Sequence, residues 1–169
     1  ANHSLGKLSA EQADLIAAVC DEIASGRHDD QFPLSVWQTG SGTQTNMNLN
    51  EVIANRGNEL AGHVRGSYQP LHPNDHVNMS QSSNDVFPTT MHVVTAQTVR
   101  TLLEVLDILI AGVDDKVQAF GDILKSGRTH LMDATPITLG QEFSAFSAQL
   151  AFARQQLLAS LPSIQELAL

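Results

Sequence analysis

The sequence predicts an all-α (mainly α) chain, with a smaller helical region over residues 1–81 and the start of a long-helix bundle over residues 82–169. Three observations carry that reading. Apolar residues recur at steps of three and four from about Asn84 to Ser126, and again from Leu139 onward. Ser9-Ala10-Glu11-Gln12 is a capping box, with Ser at the N-cap and Gln at N3. Gly26 and Gly62 stand where helices of ordinary length would stop.

Taken in order, the first helix carries Leu15, Ile16, Val19, Cys20 and Ile23 on one face, with Cys20 read as a small buried residue. Residues 27 to 40 form a loop whose Phe32 and Trp37 are expected to anchor it to a core. Leu49, Val52, Ile53 and Leu60 continue as a helix that fades near Gly62. Gly62, Gly66, Pro70 and Pro73 then mark a connecting loop. From Asn84 to Ser126 a single helix is predicted, with Pro88 tolerated in its first turn. Its stripe is Leu102, Val105, Leu106, Leu109, Ile110, Val113, Val117, Phe120 and Leu124. At 1.5 Å per residue it would span on the order of 60 Å, which suits a helix that joins partners in a bundle. Ser126-Gly127-Arg128 is expected to end it, with an extended or irregular segment before Pro136. The last helix presents Leu139, Phe143, Phe146, Leu150, Leu157 and Leu161, and Pro162 is expected to break it. Ser163-Ile164-Gln165-Glu166 reads as another capping box just before the chain stops, so residue 169 is expected to be a truncation.

Nine Lys plus Arg stand against eighteen Asp plus Glu, a formal charge of −9, and that excess of acid argues against nucleic acid and anionic membranes as partners. Cys20 is the only cysteine, so an intrachain disulfide and a Cys-based zinc site are excluded. Polar residues interrupt every apolar run before it reaches membrane-spanning length. A reducing, soluble compartment fits, with any targeting segment lying ahead of residue 1.

Three polar segments stand at helix ends: Thr39 to Asn46, His72 to Asp85, and Gly127 to Asp133. They are built of short hydrogen-bonding side chains. The second opens a helix at Ser82-Ser83-Asn84-Asp85, where unpaired N–H groups can meet an anion. Ordinary N-capping explains the same residues equally well. The Thr39–Asn46 segment has neither the spacing nor the lysine of a P-loop, and it lacks the setting of a dinucleotide fingerprint. His72 and His76 are four apart, yet Pro73-Asn74-Asp75 reads as a turn, so no metal site is assigned. Small neutral donors of this kind suit carboxylates and a carbanion delocalised into one. His130, among hydroxyls between two long helices, is the candidate general acid/base, with a purely structural role as the alternative.

Gly40-Ser41-Gly42-Thr43-Gln44-Thr45-Asn46-Met47-Asn48, His72-Pro73-Asn74-Asp75-His76-Val77-Asn78 with Ser80 to Asp85, and Gly127-Arg128-Thr129-His130 with Asp133-Ala134 resemble signatures of the fumarase/aspartase superfamily, most closely its class II fumarases. Thr129-His130 is fumarase-like, since aspartases carry Gln at the position of His130. The resemblance implies metal-free, cofactor-free reversible hydration of fumarate to (S)-malate, a citric acid cycle reaction. It implies that Ser41, Gly42, Thr43, Ser82, Ser83, Asn84 and Thr129 bind the dicarboxylate and that His130 is catalytic. It implies a secondary dicarboxylate site at His72, Pro73, Asn74 and Asp75, where Gln69 stands in place of a basic residue. It further implies a cytoplasmic homotetramer, mitochondrial in a eukaryote, whose catalytic serine loop lies beyond residue 169, which would leave this portion inactive alone. Another lyase of the superfamily, such as an aspartate ammonia-lyase, and a non-catalytic helical module are the competing readings.

Overall fold

The computed structural model describes residues 1–38 and 40–167, and these fall into two compact units, Ala1–Thr90 and the stretch from Met91 onward. Thr39, the first residue of the first polar segment, lies outside the described residues.

The Ala1–Thr90 unit holds helices α1 (Ala10–Ala24) and α2 (Thr43–Leu60) and the first turns of α3 (Ser83–Ala119). The Ser9 hydroxyl accepts from Gln12 N–H, and the Gln12 side chain returns to Ser9 N–H, completing the predicted capping box. Gly26 and Gly62 follow the two helix ends at φ +81° and +82°, a conformation that costs glycine nothing. Val19, Ile53, Ala54, Leu71 and Val77 form the core, with Leu15, Ile16 and Ile23 packed against them. Asn58, fully buried, donates to the Leu71 carbonyl at 3.0 Å and accepts from Leu71 N–H at 2.8 Å. That clamp satisfies the backbone of a loop residue inside the core. Gly57 lets the loop approach, since a Cβ there would stand 2.4 Å from Leu71 Cδ1.

Several expectations fail in this unit. Cys20 is exposed: Val19 takes the buried position, and the next residue turns a further ~100° away from the core. Trp37 is 95% exposed and anchors nothing; its loop is held instead by Ser35 and Gln38, whose Nε2 reaches the Ser35 carbonyl and Thr45 Oγ1. Helix α2 starts at Thr43, six residues earlier than its apolar pattern, because Thr and Asn occupy its first turns. Pro88 sits inside α3 beyond the first turn, where it has no N–H to give to the Asn84 carbonyl.

The unit from Met91 is a helical hairpin. It comprises the remainder of α3, a two-stranded antiparallel ribbon of β1 (Leu124–Thr129) and β2 (Met132–Thr138), and α4 (Leu139–Ile164). Along the two helices Phe120 packs edge-on against Phe143, Ser147 Oγ donates to Asp114 Oδ1 at 2.5 Å, and Arg154 grips Asp107, with Nη2 at 3.0 Å from Oδ2. His92 Nδ1 lies 2.6 Å from the Ile164 carbonyl. Gly140 seats the start of α4 on the end of α3: a Cβ there would meet the Val117 carbonyl at 2.6 Å and Gly121 Cα at 2.9 Å.

The close seating explains why α3 ends at Ala119 and not at Ser126: Gly140 N–H bonds the Phe120 carbonyl and Leu139 N–H the Ile123 carbonyl. The residues after Gly121 then pair as β1. Pro162 does not break α4, which runs through it to Ile164; a proline near a helix C-terminus forgoes only one of the last bonds. Ser163 is therefore helical, and the second capping box does not form. Among the described residues no helix is long and apolar enough to cross a membrane.

Candidate functional site

In the Ala1–Thr90 unit the N-terminal ends of α2 and α3 meet. Thr43, the first residue of α2, and Ser83, the first of α3, have hydroxyl oxygens 3.0 Å apart, and Ser41 Oγ lies 3.2 Å from Thr43 Oγ1. Gly42 joins them at φ +68° and makes no side-chain cap of its own. Its missing side chain is needed twice over, since a Cβ would fall 2.4 Å from the Phe87 ring. Four of the residues predicted to bind substrate are thus gathered from segments forty positions apart. The first N–H groups of a helix lack intrahelical acceptors and carry the positive end of its dipole, so two such ends side by side favour a carboxylate. Ser82, whose carbonyl accepts from Asp85 and Val86 N–H, and Asn84 lie at the same helix start, both exposed.

The segment before α3 is a π-type turn, Pro73–Val77. His72 Nδ1 accepts from the N–H groups of both Asn74 and Asp75 at 3.2 Å, and His76 Nδ1 accepts from His72 N–H at 2.8 Å. Asp75 Oδ2 lies 3.4 Å from the same Nδ1. The two histidines cap a turn. Pro73 is buried, and Asn74 and Asp75 are exposed. Among the described residues no three His, Cys, Asp or Glu gather as a metal set.

Thr129 and His130 belong to the other unit. Thr129 pairs with Met132 at the end of the ribbon, leaving His130 and Leu131 as a two-residue turn at φ +50° and +63°. Both-positive φ is the geometry of a type I′ hairpin, where Asn-Gly is the usual choice. His is tolerated at positive φ, but a bulky Leu is not favoured there, and strain of this kind gathers at functional sites. His130 is exposed at the tip, next to an ion pair between Arg128 Nε and Asp133 Oδ1 at 3.4 Å.

Three residues of the Ala1–Thr90 unit escape a reading by residue type. Asn46 and Asn50, both buried, each donate from Nδ2 to Asn78 Oδ1, at 3.1 and 3.0 Å. Their spacing of one helical turn, on the side of α2 that also bears Ile53, Ala54 and Gly57, was the available signal. A cavity of about 490 Å³ lies elsewhere in this unit, bordered by Arg27, His28, Glu51, Arg56, Glu59 and Arg65, and contains none of the predicted site residues. Its charges serve one another. Arg56 Nε and Nη2 hold Glu22 at 2.8 and 3.1 Å, and His28 Nε2 reaches the same carboxylate at 2.7 Å. Arg56 first, and His28 second, hold the Glu22 carboxyl down to about 2.

The chain is a member of the lyase family, whose model matches residues 1–169. It is 57% identical over 169 residues to a class II fumarate hydratase of Chromobacterium violaceum, covering 99% of this chain and 37% of that one. To the class II fumarate hydratase of Thermosynechococcus vestitus it is 56% identical over 170 residues, covering 100% of this chain and 36% of the other. Among solved structures, a recombinant class II fumarase from Schistosoma mansoni superposes with a TM-score of 0.87 at 46% identity, covering 99% of this chain and 35% of that one. The chain therefore spans little more than a third of the length of these relatives.

Proposed function

We propose that this chain is part of a fumarate hydratase of class II, which adds water reversibly across fumarate to give (S)-malate. The observation that carries the proposal is the Thr43–Ser83 contact, which brings two helix starts together in a chain 57% identical to such an enzyme. In this reading Ser41, Gly42, Thr43, Ser82, Ser83, Asn84 and Thr129 hold the two carboxylates and the hydroxyl. His130 takes a proton from the water whose oxygen bonds to one alkene carbon. The electron pair of the double bond moves toward the far carboxylate, where N–H and O–H donors stabilise it, and the second carbon receives its proton from a group outside this chain. The reaction needs no cofactor in this scheme.

His72, Pro73, Asn74 and Asp75 are proposed as a secondary dicarboxylate site with a thin donor set. Gln69 brings no charge, and the Asn74 and Asp75 N–H groups are spent on the His72 ring. Residues 1–81 are proposed as part of an N-terminal helical domain and 82–169 as the start of the central bundle. Exposed Val105, Ile108 and Leu109 on α3 support assembly of the whole protein as a homotetramer. A cytoplasmic location, mitochondrial in a eukaryote, goes with the same assignment.

The test is steady-state kinetics of the whole protein on fumarate, (S)-malate and aspartate. Turnover of fumarate and malate is expected; turnover of aspartate in their place would overturn the assignment in favour of an ammonia-lyase.

A further inference from the structure

We infer that the amide cluster Asn46–Asn50–Asn78 is the device that sets the distance between the two helix starts of the site, with Asn78 as a positioning residue. This rests on the functional reading just given. The Thr43–Ser83 contact cannot hold that distance by itself: it joins two hydroxyls at the surface, where water competes for both. The two bonds of the amide cluster are part-buried, so water competes less for them. Asn46 and Asn50 stand one turn apart on α2, 8% and 5% exposed, and both spend a side-chain N–H on the single oxygen of Asn78. Those two bonds fix the position of Asn78 along α2 as well as its separation from it, which one bond could not do.

From Asn78 the constraint runs directly to α3. Asn78 Nδ2 donates to the Gln81 carbonyl at 3.3 Å, Gln81 N–H returns to the Asn78 carbonyl at 3.1 Å, and Gln81 Nε2 reaches the Val77 carbonyl at 3.1 Å. Asn2 holds the outer side of the same turn, donating to the Met79 carbonyl at 3.0 Å and accepting from Ser80 Oγ at 3.1 Å. Ser82 and Ser83 follow at once. The path from the first turn of α2 is thus a run of hydrogen bonds through Asn78 to Gln81, one residue before Ser82. A ligand that bridges Thr43 and Ser83 meets a spacing that was fixed before it arrived, and pre-organisation of this kind is read in affinity.

The experiment uses the whole protein carrying Asn78→Ala, with Asn50→Ala as the milder variant and the triple variant N46L/N50L/N78L as a folding control without unpaired buried amides. For Asn78→Ala, KM for fumarate is expected to rise about tenfold or more, while kcat per folded enzyme changes by less than about threefold. Asn50→Ala, which leaves Asn78 one donor, is expected to give a smaller rise in the same direction. The triple variant is expected to fold and to show the raised KM. Unchanged KM with activity falling only in step with the folded fraction, in whichever variant folds, would overturn the inference and leave the cluster a packing element. Crystal structures of the variants separate this from the functional reading: Thr43 Oγ1 and Ser83 Oγ are expected to part beyond about 3.5 Å, hydrogen-bond reach. If that distance stays at 3.0 Å the inference fails whatever the protein turns over; if it opens in a protein inert to fumarate, the functional reading fails and the positioning role stands.

Discussion

The Ala1–Thr90 unit and the helical hairpin that starts at Met91 treat their apolar side chains differently. In the first, Val19, Ala54 and Leu71 are wholly covered, and the polar groups beneath them are paired by Asn58 and by the amide cluster. In the second, Ala96, Val99 and Leu103 are the only buried hydrophobic residues among those described, and Ile108 and Phe152 are 74% and 64% exposed. One unit finishes its core within its own chain. The other pairs two helices along a seam and leaves the rest of each helix open, as expected of rods that meet further surfaces. The predicted site residues divide between the two: Ser41, Thr43, Ser82 and Ser83 stand on the finished unit, and Thr129 and His130 on the tip of the open one.

The contrast can be broken by substitution. Leu71→Ala in the first unit is expected to cost about 2–5 kcal/mol of stability by urea unfolding. A value near that of an exposed site would mean the core is less closed than described. His130→Asn in the whole protein should do the reverse, lowering kcat by roughly 10²-fold or more with KM and thermal midpoint little changed. An unaltered rate removes His130 from the acid/base role.

Acid sharpens the contrast further. Glu22 in the first unit titrates near 2, below the 4.5 of a free glutamate, because Arg56 and then His28 hold its charged form. With the folded value below the unfolded one, the stabilisation is complete above about 4.5 and is lost as pH falls toward 2. Glu22→Gln should therefore flatten the dependence of the urea midpoint on pH in that window. Asp107, held below its ordinary value by Arg154, makes a matching but more open pair on the hairpin. Asp107→Asn should move the same curve less and lose its effect in high salt. The smallest change is expected from Ile108→Ala, within about 0.5 kcal/mol for the 169-residue chain. The same substitution in the whole protein should weaken its assembly, read by sedimentation.

Much of this arrangement was legible because local chemistry and tertiary packing agree. Ser9 with Gln12, Gly26, Gly62, the start of α3 and the start of α4 all sit where their residue types place them. The first strand of the ribbon was missed because Leu124 continues the helical step from Phe120, and the seating of Gly140 on Gly121 ends that helix; the segment before Pro136, expected to be extended or irregular, is part of β2. Cys20 and Trp37 misled because apolar type was taken for burial. In the site, the hydroxyl residues were readable as donors. The asparagine cluster was not, since Asn46 and Asn78 meet across 32 positions of chain.

The seam between α3 and α4 carries a lesson for sequence drift. Phe120–Phe143, Asp114–Ser147 and Asp107–Arg154 are rungs of one antiparallel ladder. A residue gained or lost within either rail displaces every rung past that point by ~1.5 Å and turns it ~100°. Length changes here should be inherited in matched pairs, one on each rail, so descendants of this chain ought to vary in spelling along the hairpin long before they vary in length.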